Sequence, residues 1–213
     1  AAGRTLLGPY SRYGFHHPGP AYLFLRMPAL WLTGGSSSGS YLTVPAIMGV
    51  CMAAAFLAVR RFGKTFAAAA FCLIVGLYLV GVPWVVWLRD WNPFVIISPF
   101  LLYVVSCAAV ASGGREWIPA AVLSGSFAAQ THLGGAPVVA ALAVFTLPAA
   151  LRKPSQGAPS RFLVGGAVLA VALWLPVLME ELGTGEGNLC RILRFFRDVP
   201  PDAGIKVALR EWS

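Results

Sequence analysis

The chain has 213 residues, of which 58% are hydrophobic and only 11% are charged. Soluble domains carry about a quarter charged residues, so this composition, with repeated apolar runs and a mean hydropathy of +0.73, excludes a soluble or disordered protein and indicates an integral membrane protein. The net charge of +8 does not indicate a nucleic-acid-binding protein, because the basic residues lie between apolar runs and near the C-terminal end, as in membrane topology.

The chain opens with a polar, aromatic and turn-rich stretch from Gly8 to Pro20. This stretch contains Arg12 and the adjacent pair His16 and His17, and nearly everything after it up to Met179 is apolar. A polar loop beside a hydrophobic body is where chemistry is expected, at the boundary between water and lipid. The next segment, Pro20 to Thr33, is short and interrupted, so we expect an interfacial helix, with a broken spanning helix as the alternative.

Six apolar runs follow, and most have the length that a ~30 Å hydrocarbon core requires. They are Ser40 to Val59, Phe66 to Leu88, Phe94 to Ser112, Trp117 to Thr131, Gly135 to Leu151 and Phe162 to Met179. The predicted fold is all-α, a polytopic transmembrane bundle of about six spans plus an outer-loop interfacial helix. It divides into an outer loop (1–39), the bundle (40–179) and an outer polar segment (180–213), which we expect to begin a larger extracytoplasmic region.

The loops between these runs differ in basic residues. The first, third and fifth loops hold Arg60, Arg61, Lys64, Arg115, Arg152, Lys153 and Arg161, whereas the second and fourth hold only Arg89. The positive-inside rule therefore predicts that the odd loops are cytoplasmic. The opening stretch, the loop at Asp90, the turn at His132 and the tail after Glu180 then face the other side. The tail is rich in arginine and runs against the rule.

In the opening stretch, four residues are candidates for binding. His16 and His17 can contact an anion or transfer a proton, or they can bond to neighbouring backbone. Arg12 is suited to phosphate, but it is equally suited to a lipid head group. Tyr13 can act as a ligand, although an interfacial position is the more common role of such a tyrosine.

Four further candidates lie at the ends of the apolar runs. Asp90 can serve the site or pair with the adjacent Arg89, and Asn92 can serve it or cap the next helix. Gln130 and His132 flank Thr131 at the end of the fourth run. Polar groups at this depth usually face a bundle interior or a water-filled cavity, although a self-satisfied surface turn is the alternative. We predict that the opening stretch, the loop at Asp90 and the turn at His132 line a common cavity beneath the interfacial segment, Pro20 to Thr33.

The order of several motifs resembles a known superfamily. The motifs are Gly8-Pro9-Tyr10-Ser11-Arg12-Tyr13-Gly14, His17-Pro18-Gly19-Pro20, Trp91-Asn92-Pro93, Ser126-x-x-x-Gln130-Thr131-His132, and Gly187-Asn188-Leu189 before Phe195-Phe196. Together they resemble bacterial multi-pass proteins of the glycosyltransferase C superfamily, near the lipid-linked-sugar transferases that include protein mannosyltransferases and aminoarabinose transferases. The resemblance runs across most of the chain, and the first motif is the most specific.

The resemblance implies an inverting transferase of the bacterial cytoplasmic membrane, with its site on the extracytoplasmic side. A polyprenyl-phosphate sugar would be the donor, membrane lipids would surround it, and nucleic acid is not an expected partner. The family's catalytic base is an aspartate early in the first outer loop, which we expect upstream of Ala1. The chain is therefore expected to be a fragment without activity of its own. Some relatives use a divalent metal, but no ligand set or metal-type cysteine spacing is recognisable here.

Two other classes of membrane protein remain open. A transporter or lipid flippase without transferase chemistry is the main alternative, but such proteins show internal repeats around a midplane site. We find no repeat, and the candidate polar residues lie at the outer ends of the apolar runs. A structural membrane subunit without chemistry is the third class.

Overall fold

The computed structural model describes residues 6–11, 13–151, 161–183 and 186–198. Within them the secondary structure is helical, apart from an isolated antiparallel bridge between Tyr10 and His16. The α-helices are α1 (Ala21–Leu32), α2 (Ser38–Gly81), α3 (Val85–Leu88), α4 (Asn92–Val95), α5 (Ile97–Ala111), α6 (Ile118–Thr131), α7 (Ala136–Leu151), α8 (Arg161–Gly183) and α9 (Asn188–Asp198). The all-α prediction is therefore confirmed.

Four helical segments of the described chain are long and apolar enough to cross a membrane. They are Ser38–Gly81, Asn92–Ala111, which joins α4 and α5, Leu133–Leu151, which contains α7, and Arg161–Gly183, which is α8. In the last two, only 11% of the most apolar window is buried inside the protein. An apolar surface of this extent needs a lipid environment. The prediction of six separate spans differs from this count at two places.

The first difference is α2, in which the first two predicted spans form one helical element of 44 residues. Lys64 interrupts it with a φ of 59° and a ψ of −169°. The rings of Phe56 and Phe71 lie 6.4 Å apart, whereas 15 residues of straight helix would separate them by about 22 Å. The two limbs of α2 therefore bend back toward one another at Lys64. The predicted loop at Arg60 to Lys64 is in fact almost entirely helical.

The second difference is α6, which has 14 residues and is shorter than a membrane span usually requires. It nevertheless lies in the interior, with ten buried residues, and packs against α5, α7 and α8. A Cβ atom on Gly125 would meet the Tyr103 ring of α5 at 2.6 Å. A Cβ atom on Gly166 would meet Ile118 at 2.7 Å, so α8 also approaches α6 closely. Small residues allow such close packing between apolar helices.

The core consists of three clusters along the bundle. The first joins Tyr22 of α1 to Val44, Met48, Val95 and Phe127; the second contains Tyr103, Cys107 and Ala121; the third contains Val110, Ile118 and Ala150. The first cluster fixes α1 against α2 and α6. It holds the start of α1, and thus the end of the opening loop, over one end of the bundle.

The ends of the chain also correct the predicted boundaries. The sixth run was expected to end at Met179, but α8 continues through Glu180 and Glu181 to Gly183. The first part of the predicted polar tail is a further helix, α9. The basic loop at 152–160 and residues 199–213 lie outside the described residues.

Candidate functional site

The opening loop folds back on itself before α1. Ser11 N–H donates to Phe15 O at 2.9 Å, and His17 N–H donates to Pro9 O at 2.8 Å. Gly14 lies at the tip with a φ of +85°, a conformation that glycine adopts without strain. This tight turn presents the two adjacent histidines on the side where the loop meets the bundle.

His16 is held by a residue 172 positions away. Asn188, the first residue of α9, accepts a hydrogen bond from His16 N–H at 2.9 Å and donates one to His16 O at 2.9 Å. The imidazole Nδ1 of His16 lies 2.8 Å from Gly8 O. Since a carbonyl can only accept, Nδ1 carries the proton in that contact. The Asn188 side-chain amide thus forms the pair of hydrogen bonds that a neighbouring backbone segment would form, and it connects α9 to the loop.

His17 is buried and contacts the end of α6. Its Nδ1 accepts a hydrogen bond from Leu133 N–H at 3.1 Å, which leaves the proton of the neutral ring on Nε2. Its ring centroid lies 5.1 Å from that of His132. Burial, followed by the neighbouring His132 and His16, lowers the pKa of His17 to about 4. Burial also lowers the pKa of His132. Both imidazoles are therefore neutral near pH 7.

Three consecutive residues at the end of α6 carry buried polar atoms that lack a hydrogen-bond partner in the described chain: Gln130 Oε1, Thr131 Oγ1 and His132 Nδ1. Gln130 and Thr131 are both fully buried. The Gln130 amide nitrogen does bond to Leu173 O at 2.9 Å, and its backbone carbonyl accepts from Gly19 N–H at 3.2 Å. Buried polar atoms are almost always paired, so unpaired ones require water, a ligand or another partner.

Asp90 belongs to a different polar cluster. Its carboxylate accepts a very short hydrogen bond from the Tyr22 hydroxyl and forms an ion pair with Arg26 Nη2 at 2.7 Å. The same Arg26 nitrogen donates to Ser40 Oγ at 2.6 Å. Burial, with the hydrogen bond to Asp90, raises the pKa of Tyr22. Of the two alternatives for Asp90, a pair with the adjacent Arg89 is not the one found, because its ion-pair partner is Arg26.

The remaining predicted residues lie in other surroundings. Asn92 is the first residue of α4 and is half-buried; Trp91 precedes it as the cap residue, without a side-chain capping bond. The Tyr13 ring packs 5.2 Å from that of Phe195 on α9. Arg12 lies outside the described residues. The structure thus brings together His17, Gln130 and His132, whereas His16 contacts Gly8, Tyr10 and Asn188. The shared cavity with Asp90 and Asn92 stays a prediction.

An open groove of about 570 Å³ lies between the opening loop and α9. The aromatic residues Tyr13, Phe15 and Phe195 form one part of its lining, and Arg191 and Arg194 line it as well. The Phe15 and Phe195 rings are 5.2 Å apart. The groove is therefore formed where the opening loop packs against α9. Its lining does not include the residues of α6 that carry the unpaired atoms.

Three residues in these clusters escaped prediction as functional residues. Asn188 gave a weak signal through the Gly187-Asn188-Leu189 motif, but its partner 172 residues away has no sequence signature. Tyr22 and Arg26 are four residues apart on α1, one helical turn, which indicates a shared face. No group of three or more histidine, cysteine, aspartate or glutamate side chains that could hold a metal ion occurs in the described part of the chain.

Comparisons of the chain with protein-family models, with curated proteins and with solved structures give no significant match.

Proposed function

We propose that this chain is a glycosyltransferase-like protein of the bacterial cytoplasmic membrane, which transfers a sugar from a polyprenyl-phosphate donor to an acceptor at the extracytoplasmic face. The observation that carries the proposal is the cluster of His17, Gln130, Thr131 and His132 beneath the opening loop. Its members come from two sequence motifs that resemble those of the glycosyltransferase C superfamily. Three of its buried polar atoms have no partner in the described chain, and a polar ligand would supply one.

The proposed topology has six membrane passages. They are the two limbs of α2, the α4–α5 segment, α6, α7 and α8, with α1 along the bilayer surface. The bend at Lys64 supports the separation of the α2 limbs, since it returns the chain toward its starting side. The exposed Trp31 and Leu32 of α1, at 73% and 85% exposure, support an interfacial position for that helix.

The reaction would be a displacement at the anomeric carbon of the donor sugar. An acceptor hydroxyl forms the new bond to this carbon while the bond to the phosphate oxygen breaks. The leaving polyprenyl phosphate takes the electron pair, and the acceptor proton passes to a general base. No residue of this chain is assigned as that base.

The histidines would act in this site as neutral hydrogen-bond donors. Because Nδ1 of His17 accepts from Leu133 N–H, its Nε2–H is the group available to a phosphate oxygen. A permanent positive charge for the leaving phosphate would come from Arg12, whose guanidinium suits phosphate oxygens. Gln130 Oε1 accepts hydrogen bonds only, so it fits a sugar hydroxyl and not the phosphate.

A binding experiment on the full-length protein in nanodiscs tests this proposal. Radiolabelled polyprenyl-phosphate mannose is titrated against the wild type and against the Arg12→Ala and His132→Ala variants. We expect at least about a tenfold rise in Kd for each, which corresponds to about 1.4 kcal/mol. The control is Arg152→Ala, from the predicted cytoplasmic side. Equal affinity in all four proteins would favour a structural role, and release of unchanged donor inside proteoliposomes that carry the wild type would favour a transporting one.

Cysteine labelling of intact cells tests the proposed sidedness. A Ser37→Cys variant, made without the natural cysteines, should react with a membrane-impermeant maleimide, whereas Ser155→Cys should react only after lysis. The reverse pattern would place the His17 cluster in the cytoplasm and remove the extracytoplasmic reaction.

A further inference from the structure

One face of helix α9 packs against the rest of the protein. Asn188 bonds to the backbone of His16, and Ile192 is buried. Phe195 packs on Tyr13 and Phe15 at ring distances of 5.2 Å. These residues follow the spacing i, i+4 and i+7 and therefore lie on one side of the helix. This side of α9 therefore holds the opening loop, which the end of α6 contacts as well.

A second side of α9 is apolar and exposed. Leu193 and Phe196 are 69% and 60% exposed, and Leu189 is half-buried at the start of the same row. The spacing i, i+4 and i+7 again aligns these three residues. We call this row, whose last two residues are exposed in the described part of the chain, the outer stripe. Arg197 follows next around the helix and pairs with Asp198 at 2.9 Å, while Arg194 lies further round and pairs with Glu186 at 2.7 Å. Arg191 lies on the side opposite the stripe.

The start of α9 is fixed to the end of α8. Glu180 accepts a hydrogen bond from Asn188 N–H at 3.1 Å. Glu181 accepts from Leu189 N–H at 2.8 Å and from Cys190 N–H at 3.2 Å. These carboxylates satisfy N–H groups that a helix start leaves free, and their charge suits its dipole. Since α8 is long and apolar enough to cross a membrane, α9 begins where α8 leaves the bilayer.

We propose that α9 lies on the bilayer surface, with the outer stripe inserted below the phospholipid head groups and the exposed Arg197, whose partner in the protein is the adjacent Asp198, at the level of the lipid phosphates. Three features indicate that the outer stripe contacts the bilayer. Leu193 and Phe196 of the stripe are exposed, the neighbouring Arg197 suits phosphate oxygens, and the anchor on α8 places the helix at the surface. An amphipathic helix of this kind binds an interface through its apolar row and its basic edge. The inference does not depend on the proposed transferase activity.

One consequence links the lipid to the candidate site. The lipid-facing side and the loop-facing side belong to the same 11-residue helix. A bilayer that holds the outer stripe therefore also positions Asn188, and through it His16. The bilayer surface thus becomes part of what orders the opening loop.

Spin labelling tests the position of α9 directly. The four natural cysteines are replaced, and single cysteines are introduced as Leu193→Cys, Phe196→Cys and, as the matched control on the opposite side, Arg191→Cys. The full-length protein is reconstituted in phospholipid vesicles. Collision with oxygen, which concentrates in lipid, and with a water-soluble nickel chelate is then measured. We expect the ratio of oxygen to nickel accessibility to be several-fold higher at 193 and 196 than at 191.

Two results would overturn the proposal. Nickel accessibility at 193 and 196 equal to that at 191 would mean that the stripe faces water. Low accessibility to both reagents would mean that protein covers it, either residues 199–213 or a second copy of the chain. The Arg197→Gln variant, with the label at 193, tests the phosphate contact: the oxygen-to-nickel ratio should fall at least twofold, whereas Arg61→Gln should leave it unchanged. An unchanged ratio in Arg197→Gln would remove the arginine from the proposal.

Discussion

Two polar clusters lie within the described part of this helical bundle, and they differ in how fully their atoms are paired. In the cluster around Asp90, both carboxylate oxygens, the Tyr22 hydroxyl and the Ser40 hydroxyl have partners, and only Nε of Arg26 lacks one. At the end of α6, three consecutive residues each have an unpaired buried atom. A paired network in a nonpolar environment stabilises a structure, whereas unpaired groups there cost free energy. The first cluster is therefore a structural clamp, and the second is the better candidate for binding.

The largest effect should come from removing the centre of the clamp. Asp90→Ala leaves the Arg26 guanidinium and the Tyr22 hydroxyl without their shared acceptor in a partly buried position. We expect the free energy of unfolding to fall by about 3 kcal/mol, the scale for breaking a buried charged pair, as measured by denaturant unfolding in detergent micelles.

Asp198→Ala is the matched control, because Asp198 also pairs with an arginine, Arg197, but at an exposed site. It should leave stability unchanged. Removing Arg26 as well, in the Asp90→Ala/Arg26→Met double variant, should restore part of the loss, since no unpaired charge remains. If Asp90→Ala is as stable as the wild type, Asp90 is not part of a structural clamp.

The second effect concerns how the opening loop meets α6. A Cβ atom added to Gly19 would overlap the side chain of Gln130. Gly19→Ala should therefore displace Gln130 from Leu173 O and lower the free energy of unfolding by about 2 kcal/mol, in the range of overpacking. Gly165→Ala is the control, because its added methyl meets no atom within 4 Å. Equal unfolding curves for the two variants would show that Gly19 of the loop does not pack tightly against Gln130 of α6.

A third, smaller effect is a pH dependence that arises from the buried histidines at the α6 cluster. The pKa of His17 is about 4 in the folded protein and near 6.5 in an unfolded chain. Between these values the unfolded chain binds a proton that the folded chain does not. Stability should therefore fall as the pH falls through this window, by a few degrees in Tm. His132 acts in the same direction, since its pKa is also lowered.

The variant His17→Gln should flatten this profile, because an uncharged side chain has no proton to gain at this position. Its amide oxygen can still accept from Leu133 N–H. Thermal unfolding is recorded between neutral pH and about pH 4.5 for both proteins. A wild-type profile that is no steeper than that of the variant would mean that His17 is not buried as a neutral ring.

The clamp and the α6 cluster also differ in how much of them the sequence predicts. Gln130 and His132 stand out as polar residues at the end of an apolar run, and α6 begins and ends within one residue of the predicted run. The partner of Asp90 was not predicted, because Arg26 lies 64 residues earlier and competes with the adjacent Arg89. A local charge pair is visible in a sequence, whereas a contact between distant helices depends on how the helices pack.

Some helix boundaries can likewise be predicted from the sequence, and others cannot. The apolar runs predict α5, α7 and most of α8, because burial or lipid contact requires a long apolar surface. The break in α2 falls at Lys64, inside the predicted loop at Arg60 to Lys64, but helix continues up to it because arginine and lysine favour helix. The helix α9 was missed, although the apolar spacing of Leu189, Leu193 and Phe196 would have indicated it.

The smallest expected change in stability gives the sharpest distinction between the two clusters. Thr131 is fully buried and its hydroxyl has no partner in the described chain. Thr131→Val replaces this hydroxyl with a methyl group of similar size and removes the cost of burying it unpaired. We expect the free energy of unfolding to stay the same or to rise by about 1 kcal/mol. If the cluster binds a polar ligand, the same variant should bind polyprenyl-phosphate mannose more weakly.

Ser106→Ala is the control for Thr131→Val, because Ser106 also has a buried, unpaired hydroxyl but lies in the second half of α5. It should leave donor binding unchanged. A Thr131→Val protein that is less stable than the wild type would show that this hydroxyl is paired, for example by an internal water, and that the α6 cluster resembles the clamp after all.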